Sequence, residues 1–294
     1  TLDTGIKAIN SCLTIGSGQR IGLIAGSGVG KSVLLGMLTR NTEADVVVIG
    51  LIGERGREVR EFINEILGPS GLAKSCVIAA PANVSPVVRL KATKLAHLVA
   101  EYFRDKGKNV LLLLDSLTRV AHAQREIGLA VGEPPTTKGY TPSVFSLLPK
   151  IIERAGNGTV GSITGLYTIL IEGDDLDDPI GDTSRSLLDG HIVLSRKLAS
   201  MGHYPPVDVL NSISRLANDI ISDGHKDQKK KILSLLSAYK ENEDLISVGA
   251  YEEGSNTLID EAIKAKESIS DFLIQDMNDS TDFHYMQNEM NKLV

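Results

Sequence analysis

Short apolar runs alternate with stretches of helical periodicity between residues 20 and 195. The apolar runs are as long as buried strands and are nearly continuous, which is typical of parallel strands covered on both faces. The predicted strands are 20–25, 45–52, 75–80, 109–115 and 161–171. The predicted helices are 30–40, 57–67 and 86–106, one after residue 115, and one after the break at 140–143. We therefore predict an α/β fold with a mostly parallel sheet.

The strand signal fades after residue 205, and three helical stretches follow. They cover about 225–240, 257–276 and 281–294, which indicates a small all-α domain at the C-terminus. We therefore predict two domains, at 1–220 and 221–294. The polar stretch 172–178 is predicted to be a loop. It lacks the spacing of a calcium-binding loop, so a solvated or interface loop is favoured.

Composition narrows the class of protein. The chain has 294 residues, 42% hydrophobic and 23% charged, which is ordinary for a globular protein. Its net charge of −6 argues against a dedicated nucleic-acid binder. No apolar run approaches the roughly 18 residues of a membrane span, and no signal peptide is visible. The two cysteines, Cys12 and Cys76, match no metal spacing and are interpreted as cytosolic thiols.

A glycine-rich segment follows the first predicted strand. Residues 25–32 match the P-loop pattern except at Ala25, where the pattern has glycine. In such a loop the N–H groups point at phosphate oxygens, and the positive end of the next helix lies beneath them. Lys31 would reach the β- and γ-phosphates, and the hydroxyl of Ser32 would bind Mg²⁺. The residues predicted to contact a nucleoside triphosphate are Gly26, Ser27, Gly28, Val29, Gly30, Lys31, Ser32 and Val33.

Two acidic residues follow the ends of other predicted strands. Asp115 ends the fourth strand, where P-loop enzymes hold Mg²⁺ through a carboxylate. Glu54 follows the second strand, and the carboxyl ends of parallel strands meet at one crevice. A carboxylate there would orient or deprotonate the attacking water. The alternative is that Glu54 pairs with a neighbouring arginine in a surface turn. Cations for the developing charge could be Arg119, Arg185, Arg196 or Arg215, and the pattern does not choose among them.

Three more segments carry a resemblance to a known family. They are Gly50–Glu58, Asp115–Arg119 and the Glu-Pro-Pro-Thr-Thr-Lys-Gly-Tyr run at 133–140. Together with the P-loop they resemble the flagellar and type III secretion ATPases, relatives of the rotary ATP synthase β subunit. The resemblance covers nearly the whole chain and implies a RecA-like core that hydrolyses ATP with Mg²⁺. Alanine at position 25 is usual in this branch.

The resemblance also implies roles for individual residues. Glu54 would be the catalytic carboxylate, since the non-catalytic subunits of related rings carry glutamine there. Arg215 matches the arginine finger that reaches into the adjacent subunit's site, and Arg119 lies close to the γ-phosphate. Tyr251 matches an aromatic that stacks on adenine, and Tyr204 would flank it. For both tyrosines the alternative is ordinary packing.

The same resemblance implies partners and a location. These are a homo-hexameric ring, stalk and stator proteins of an export apparatus, and secretion chaperones with their cargo, but no nucleic acid. The location implied is cytoplasmic, peripheral to the inner face of the cell membrane. The family's N-terminal β-barrel would precede the segment at Thr4-Gly5, so we expect this chain alone to be mostly monomeric and weakly active.

Three other functions remain open at this point. A catalytic subunit of a rotary ATP synthase or vacuolar pump would have a different segment after Asp115 and no Pro-Pro-Thr-Thr-Lys run. A nucleic-acid translocase would share the RecA-like core, but the acidic net charge and the 4% aromatic content disfavour it. A subunit that only binds nucleotide would retain its function after loss of Lys31 or Glu54.

Overall fold

The computed structural model describes residues 1–171 and 178–293. The strands are β1 (Arg20–Ala25), β2 (Val46–Ile52), β3 (Ser75–Ala80), β4 (Asn109–Asp115), β5 (Gly156–Asn157), β6 (Ser162–Leu170), β7 (Gly190–Leu194) and β8 (Ile213–Ser214). The helices of the first part are α1 (Lys31–Asn41), α2 (Gly56–Glu61), α3 (Gly68–Ala73), α4 (Pro86–Arg104), α5 (Leu117–Ala130), α6 (Pro142–Ile152), α7 (Pro179–Leu187), α8 (Arg196–Ser200) and α9 (Ala217–Ile220). The last helices are α10 (Asp223–Glu241), α11 (Glu243–Ser247), α12 (Thr257–Leu273) and α13 (Phe283–Leu293).

The eight strands of residues 1–171 and 178–293 form one sheet, in the order β3-β2-β4-β6-β1-β7-β8, with β5 paired to β6. The five pairings from β3 to β7 are parallel, and only the two-residue strands β5 and β8 pair antiparallel. Strand β6 separates β1 from β4. The predicted class, a mostly parallel α/β domain followed by a helical C-terminal domain, is confirmed.

The sheet is buried on both faces, and β4 shows how. Leu111 and Leu113 belong to one apolar cluster, which contains the apolar side of α1. Val110, Leu112 and Leu114 point to the opposite face and pack with α4, α5 and α6. Because both faces need apolar residues, the strand reads as a continuous apolar run rather than an alternating one.

The C-terminal helices share the core of the first part. Ile232 of α10, Ile269 of α12 and Met286 of α13 belong to the same apolar cluster as Leu34 of α1. The three long helices predicted in this region are present, with bounds that differ by at most four residues at each end. None of the helices that the structure describes is long and apolar enough to cross a bilayer.

Helix α4 buries only some of its larger apolar side chains. Leu95 and Leu98 are 49% and 55% exposed, whereas Leu90 and Val99 are partly buried against the core. The fully buried positions carry small residues such as Ala96 and Ala100. A Cβ placed at Gly50 of β2 would lie 3.3 Å from that of Ala96, so small residues on both elements allow the helix to approach the sheet closely.

Several elements differ from the sequence prediction. The predicted helix at 57–67 is α2 continued by a π-helical turn, Phe62–Leu67, and then α3. Strands β5, β7 and β8 were not predicted, because two to five residues give too little periodicity. The predicted loop at 172–178 lies outside the described residues except for Asp178, whose side chain caps α7.

The buried Leu113 of β4 and the exposed Leu98 of α4 should differ in how much each contributes to the free energy of unfolding. Leu113→Ala, at a site with 0% exposure, is expected to lower the free energy of unfolding. The loss should be about 2–5 kcal/mol, because a cavity remains in the centre of the sheet. Leu98→Ala is the matched control and should change stability by less than about 0.5 kcal/mol. Chemical denaturation measures both. Equal losses would contradict the burial described here.

Candidate functional site

The glycine loop between β1 and α1 has the backbone that its sequence predicts. Gly28 and Gly30 have φ values of +77° and +92°, a left-handed region that side chains with a Cβ rarely adopt. Gly30 directly precedes α1, so the first N–H groups of that helix face the loop. Ser32 and Val33, in the first turn, line the same cleft as Gly26.

Lys31 lies between two carboxylates from two different strands. Its Nζ is 2.5 Å from Asp115 Oδ1 and 3.7 Å from Glu54 Oε1. The same Asp115 oxygen accepts a hydrogen bond of 2.6 Å from the hydroxyl of Thr168. Thr168 lies on β6, the strand between β1 and β4. Its side chain is therefore placed between the glycine loop that follows β1 and Asp115 at the end of β4. The structure therefore brings Lys31, Glu54 and Asp115 together.

Glu54 is a carboxylate whose charge is disfavoured by its surroundings. Burial raises the pKa of Glu54 to about 7, and the nearby Asp115 carboxylate adds to the effect. Lys31 and Arg119 oppose it, and a hydrogen bond with Glu58 acts in the same direction as burial. A carboxyl group with a pKa near neutrality can take up and release a proton at working pH.

Arg119 lies directly against the backbone that precedes Glu54. A Cβ placed at Gly53 would be 2.8 Å from the Cβ of Arg119, and Gly53 has a φ of +74°. Both facts require glycine at position 53. Arg119 is in the first turn of α5, whose N-cap is the hydroxyl of Ser116. The arginine therefore lies next to the glutamate although 65 positions separate them in the sequence.

Two buried polar atoms at this point have no hydrogen-bond partner in the described part of the chain. They are Glu54 Oε1, an acceptor, and Arg119 Nε, a donor. Buried polar atoms in proteins are nearly always paired. An unpaired acceptor and an unpaired donor at one cleft therefore indicate a polar occupant.

The cleft has a volume of about 840 Å³, in the range of small-molecule sites. It extends from the glycine loop across α5 to the segment that contains Lys138 and Tyr140. There, His122 Nε2 is 3.1 Å from the Tyr140 hydroxyl, and the guanidinium carbon of Arg125 is 5.2 Å from the centroid of the Tyr140 ring. Charged and polar groups thus line the cleft on both sides.

Arg215 lies away from this cleft. It is exposed and follows β8, and its N–H bonds to the carbonyl of Asp189 at 3.0 Å. The N–H of Asp189 in turn bonds to the carbonyl of Arg20, the first residue of β1. The glycine loop follows the last residue of β1, so about 16 Å of strand separates it from the level of the Arg215 backbone. The structure does not bring Arg215 to this chain's own P-loop.

The two tyrosines occupy different places. The ring of Tyr204 lies over Gly30, where a Cβ would be 3.6 Å from Tyr204 Cε1. Tyr251 follows α11, and its hydroxyl donates to Asp260 of α12 at 2.8 Å. The described residues that line the cleft include neither of these two tyrosines. Tyr204 lies near the glycine loop at Gly30, and Tyr251 lies among the C-terminal helices.

Comparison with known proteins shows the family. The nucleotide-binding domain of the ATP synthase alpha/beta family matches residues 5–214. This chain belongs to that family. Residues 221–292 match the C-terminal domain of the type III secretion ATPase EscN. The predicted resemblance to the flagellar and type III secretion branch of the family is confirmed.

A flagellar relative supports this family assignment. The chain is 58% identical, over 284 residues, to the flagellum-specific ATP synthase of Salmonella typhimurium. The match takes in 96% of the chain and 62% of that relative, so the chain spans less than two thirds of its length.

Solved structures of the family have the same fold. The assembled ATPase EscN of enteropathogenic E. coli is similar with a TM-score of 0.95 and 46% identity, over 99% of this chain and 71% of that one. EscN in complex with its central stalk EscO is similar with a TM-score of 0.94 and 45% identity, over 99% and 70%.

The residues present fit a magnesium ion, the metal expected with a nucleoside triphosphate. Hydroxyl and carboxylate oxygens are the donors that Mg²⁺ prefers. Ser32 offers a hydroxyl at the cleft, and Asp115 offers a carboxylate that Lys31 and Thr168 hold in place. The unpaired oxygen of Glu54 is a third oxygen donor nearby.

Sequence reasoning missed some of the site. Thr168 is a single hydroxyl within an apolar strand, and its position opposite Asp115 depends on the strand order. A buried polar residue within such a run is a weak signal that could have been used. Tyr140 belongs to the run at 133–140 that carries the resemblance, whereas His122 lies outside the segments named for it, and the place of both in the cleft follows from how α5 and α6 pack.

The raised pKa of Glu54 predicts a dependence of stability on pH. Because the folded-state pKa of about 7 exceeds the usual 4.5, the folded chain binds more protons between these values, and stability falls as pH rises through this window. Glu54→Gln removes this loss. As pH rises from 4.5 to 8, the free energy of unfolding of the variant should therefore increase by roughly 1–3 kcal/mol relative to that of the wild type. Denaturant unfolding across that range measures the difference. Glu65→Gln, which changes an exposed carboxylate, is the control and should follow the wild type.

Proposed function

We propose that the complete protein hydrolyses ATP to energise protein export through a flagellar or type III secretion apparatus. The observation that carries the proposal is the convergence of Lys31, Glu54 and Asp115 at a P-loop cleft. Family membership supports it, and the match to a type III secretion C-terminal domain favours the export branch over a rotary synthase. The two domains we propose, 1–220 and 221–294, agree with the two matched ranges.

In the proposed mechanism the loop Gly26–Val33 binds the triphosphate. Its N–H groups and Lys31 neutralise the β- and γ-phosphates. Glu54, in its carboxylate form, accepts a hydrogen bond from a water molecule and aims its oxygen at the γ-phosphorus. As the new P–O bond forms and the bond to the bridging oxygen breaks, a proton from the water passes to the Glu54 carboxylate, and ADP and phosphate result. Arg119 lies beside Glu54 and stabilises charge on the γ-phosphoryl oxygens.

Mg²⁺, held by Ser32 and Asp115, supplies neutralising charge to the phosphates when it is bound. We propose Tyr204 as a side-chain contact of the nucleotide, since its ring lies over Gly30. Tyr251 stays a prediction, and its hydroxyl is bonded within the C-terminal helices.

We propose that Arg215 acts on the nucleotide of a neighbouring subunit. Its exposure and its distance from its own P-loop support this. An arginine supplied by another chain can contribute a large part of phosphoryl-transfer catalysis. The assembled state described for EscN supports a ring, and we propose a homo-hexamer for the complete protein.

The partners follow by analogy with relatives. EscN is described in complex with its central stalk EscO, and we propose an equivalent stalk, stator proteins, secretion chaperones and cargo here. We propose a cytoplasmic location at the inner face of the membrane, through contact with the apparatus, and no nucleic-acid partner. ATP turnover that rises with added RNA would instead favour a translocase.

Two substitutions in the complete protein test the catalytic roles. Glu54→Gln should keep ATP binding but lower kcat by at least about 100-fold, because the water loses its base. Lys31→Ala should weaken ATP binding itself, because the phosphates lose a cation. Equilibrium binding and phosphate release measure the two effects. Unchanged turnover and unchanged export in both variants would leave only a nucleotide-binding assembly subunit.

A mixing experiment tests the shared site. Glu54→Gln and Arg215→Ala subunits should each be nearly inactive alone. In rings assembled from an equal mixture, about a quarter of the interfaces should pair an intact Glu54 with an intact Arg215 from the neighbour. ATPase activity of the mixture should therefore exceed the sum of the separate activities. A mixture of Glu54→Gln with Lys31→Ala subunits is the control and should show no gain, since both changes lie in the same half of the site.

A further inference from the structure

The connection between α12 and α13 contains a buried glutamine whose polar groups are all used. Gln275 is 4% exposed. Its side-chain oxygen accepts from the N–H of Lys7 at 2.9 Å, and its amide donates to the carbonyls of Gly5 at 2.8 Å and Asp279 at 3.0 Å. One side chain thus fixes the helical domain to the N-terminal segment of the nucleotide domain. None of this belongs to the cleft described above.

The backbone of the same residue holds Tyr204. The N–H of Gln275 bonds to the Tyr204 carbonyl at 2.9 Å. The Tyr204 ring and Pro206 both lie near Gly30, where an added Cβ would be 3.6 Å from Tyr204 Cε1 and 3.9 Å from Pro206 Cδ. The position of residue 275 therefore determines where the peptide of Tyr204 lies, and that peptide carries the ring that covers the start of α1.

A second attachment fixes the same connection to the other end of α1. Arg40 donates to the carbonyl of Met277 at 2.6 Å, and Asn41 donates to the carbonyl of Asp279 at 2.9 Å. The connection thus reaches the P-loop helix at its C-terminal end directly, and at its N-terminal end through Tyr204. Movement of this connection relative to the P-loop would break bonds at both ends.

We propose that Gln275 is a positioning residue for nucleotide binding, acting through Tyr204. This rests on the proposed nucleotide site at the P-loop. An amide is required because the position needs one acceptor and two donated bonds within the same plane. Leucine would leave an N–H and two carbonyls unpaired in a buried place, and glutamate would face two carbonyls without a hydrogen to donate. In either case residue 275 shifts and the Tyr204 ring loses its place.

The test is a double-mutant cycle in the complete protein, with the dissociation constant for a non-hydrolysable ATP analogue as readout. Gln275→Leu should weaken binding on the order of 5–20-fold, the equivalent of one lost buried hydrogen-bonding partner. Tyr204→Ala should weaken it by a similar factor. The double variant should bind no more than about twofold more weakly than Tyr204→Ala, because the two residues act as one unit.

A matched control separates positioning from general destabilisation. Gln228→Leu removes a glutamine on α10 that bonds to Asn291 on α13, within the helical domain. It should lower the unfolding temperature by less than Gln275→Leu, because Gln228 is only partly buried, and it should leave the dissociation constant unchanged. If Gln275→Leu does not fold, Gln275→Glu keeps the size and the acceptor, and the same weakening is expected.

The outcomes distinguish this inference from the proposed function. An analogue affinity that Lys31→Ala leaves unchanged would overturn the nucleotide site itself. If Lys31→Ala and Tyr204→Ala weaken binding but Gln275→Leu does not, or if the factors of Gln275→Leu and Tyr204→Ala multiply, the site stands and the positioning role is wrong. An effect of Gln228→Leu equal to that of Gln275→Leu would also overturn it.

Discussion

The ammonium group of Lys31, shared between Asp115 and Glu54, is the interaction on which the site depends. Three elements must be correct for it to exist: the end of β1, the end of β4 and the turn after β2. In water an ion pair of this kind contributes little, but Asp115 is 4% exposed and the local dielectric is lower. The cost of burying these charges is offset by their mutual pairing and by the hydrogen bond from Thr168 to Asp115, which makes their geometry demanding.

That geometry is supported by a sheet with no free face. Apolar residues of β4 point alternately into the two core clusters, so a shift of register by one residue would exchange them. The C-terminal helices contribute to the cluster that contains α1. The helix that carries Lys31 therefore belongs to the same apolar core as the C-terminal helices, and the two parts of the chain share that core rather than meeting at a polar surface.

Sequence reasoning recovered what depends on local order and missed what depends on pairing between strands. The P-loop, Glu54 and Asp115 could be predicted because each follows a recognisable strand, and parallel strands end at one edge. Thr168 could not, because only the insertion of β6 between β1 and β4 places it on Asp115. The contact of Gly53 with Arg119 depends on a backbone conformation that a motif does not specify. The buried side of α4 is hard to predict because Leu95 and Leu98 are exposed while Ala96 and Ala100 pack against the sheet.

The position of Arg215 has a consequence for symmetry. The phosphate loop lies at the carboxyl end of β1, and Arg215 lies level with the amino end of the same strand. A contact that brings one end of the sheet to the other end of a second copy, and that forms only once in the pair, is heterologous: it uses two different surfaces and leaves one of each unused. Repetition either closes into a ring or continues as a helical filament, and the rotation between neighbours decides which. In the assembly proposed for the complete protein, the polarity of the parallel strands would thereby set the direction of the subunits.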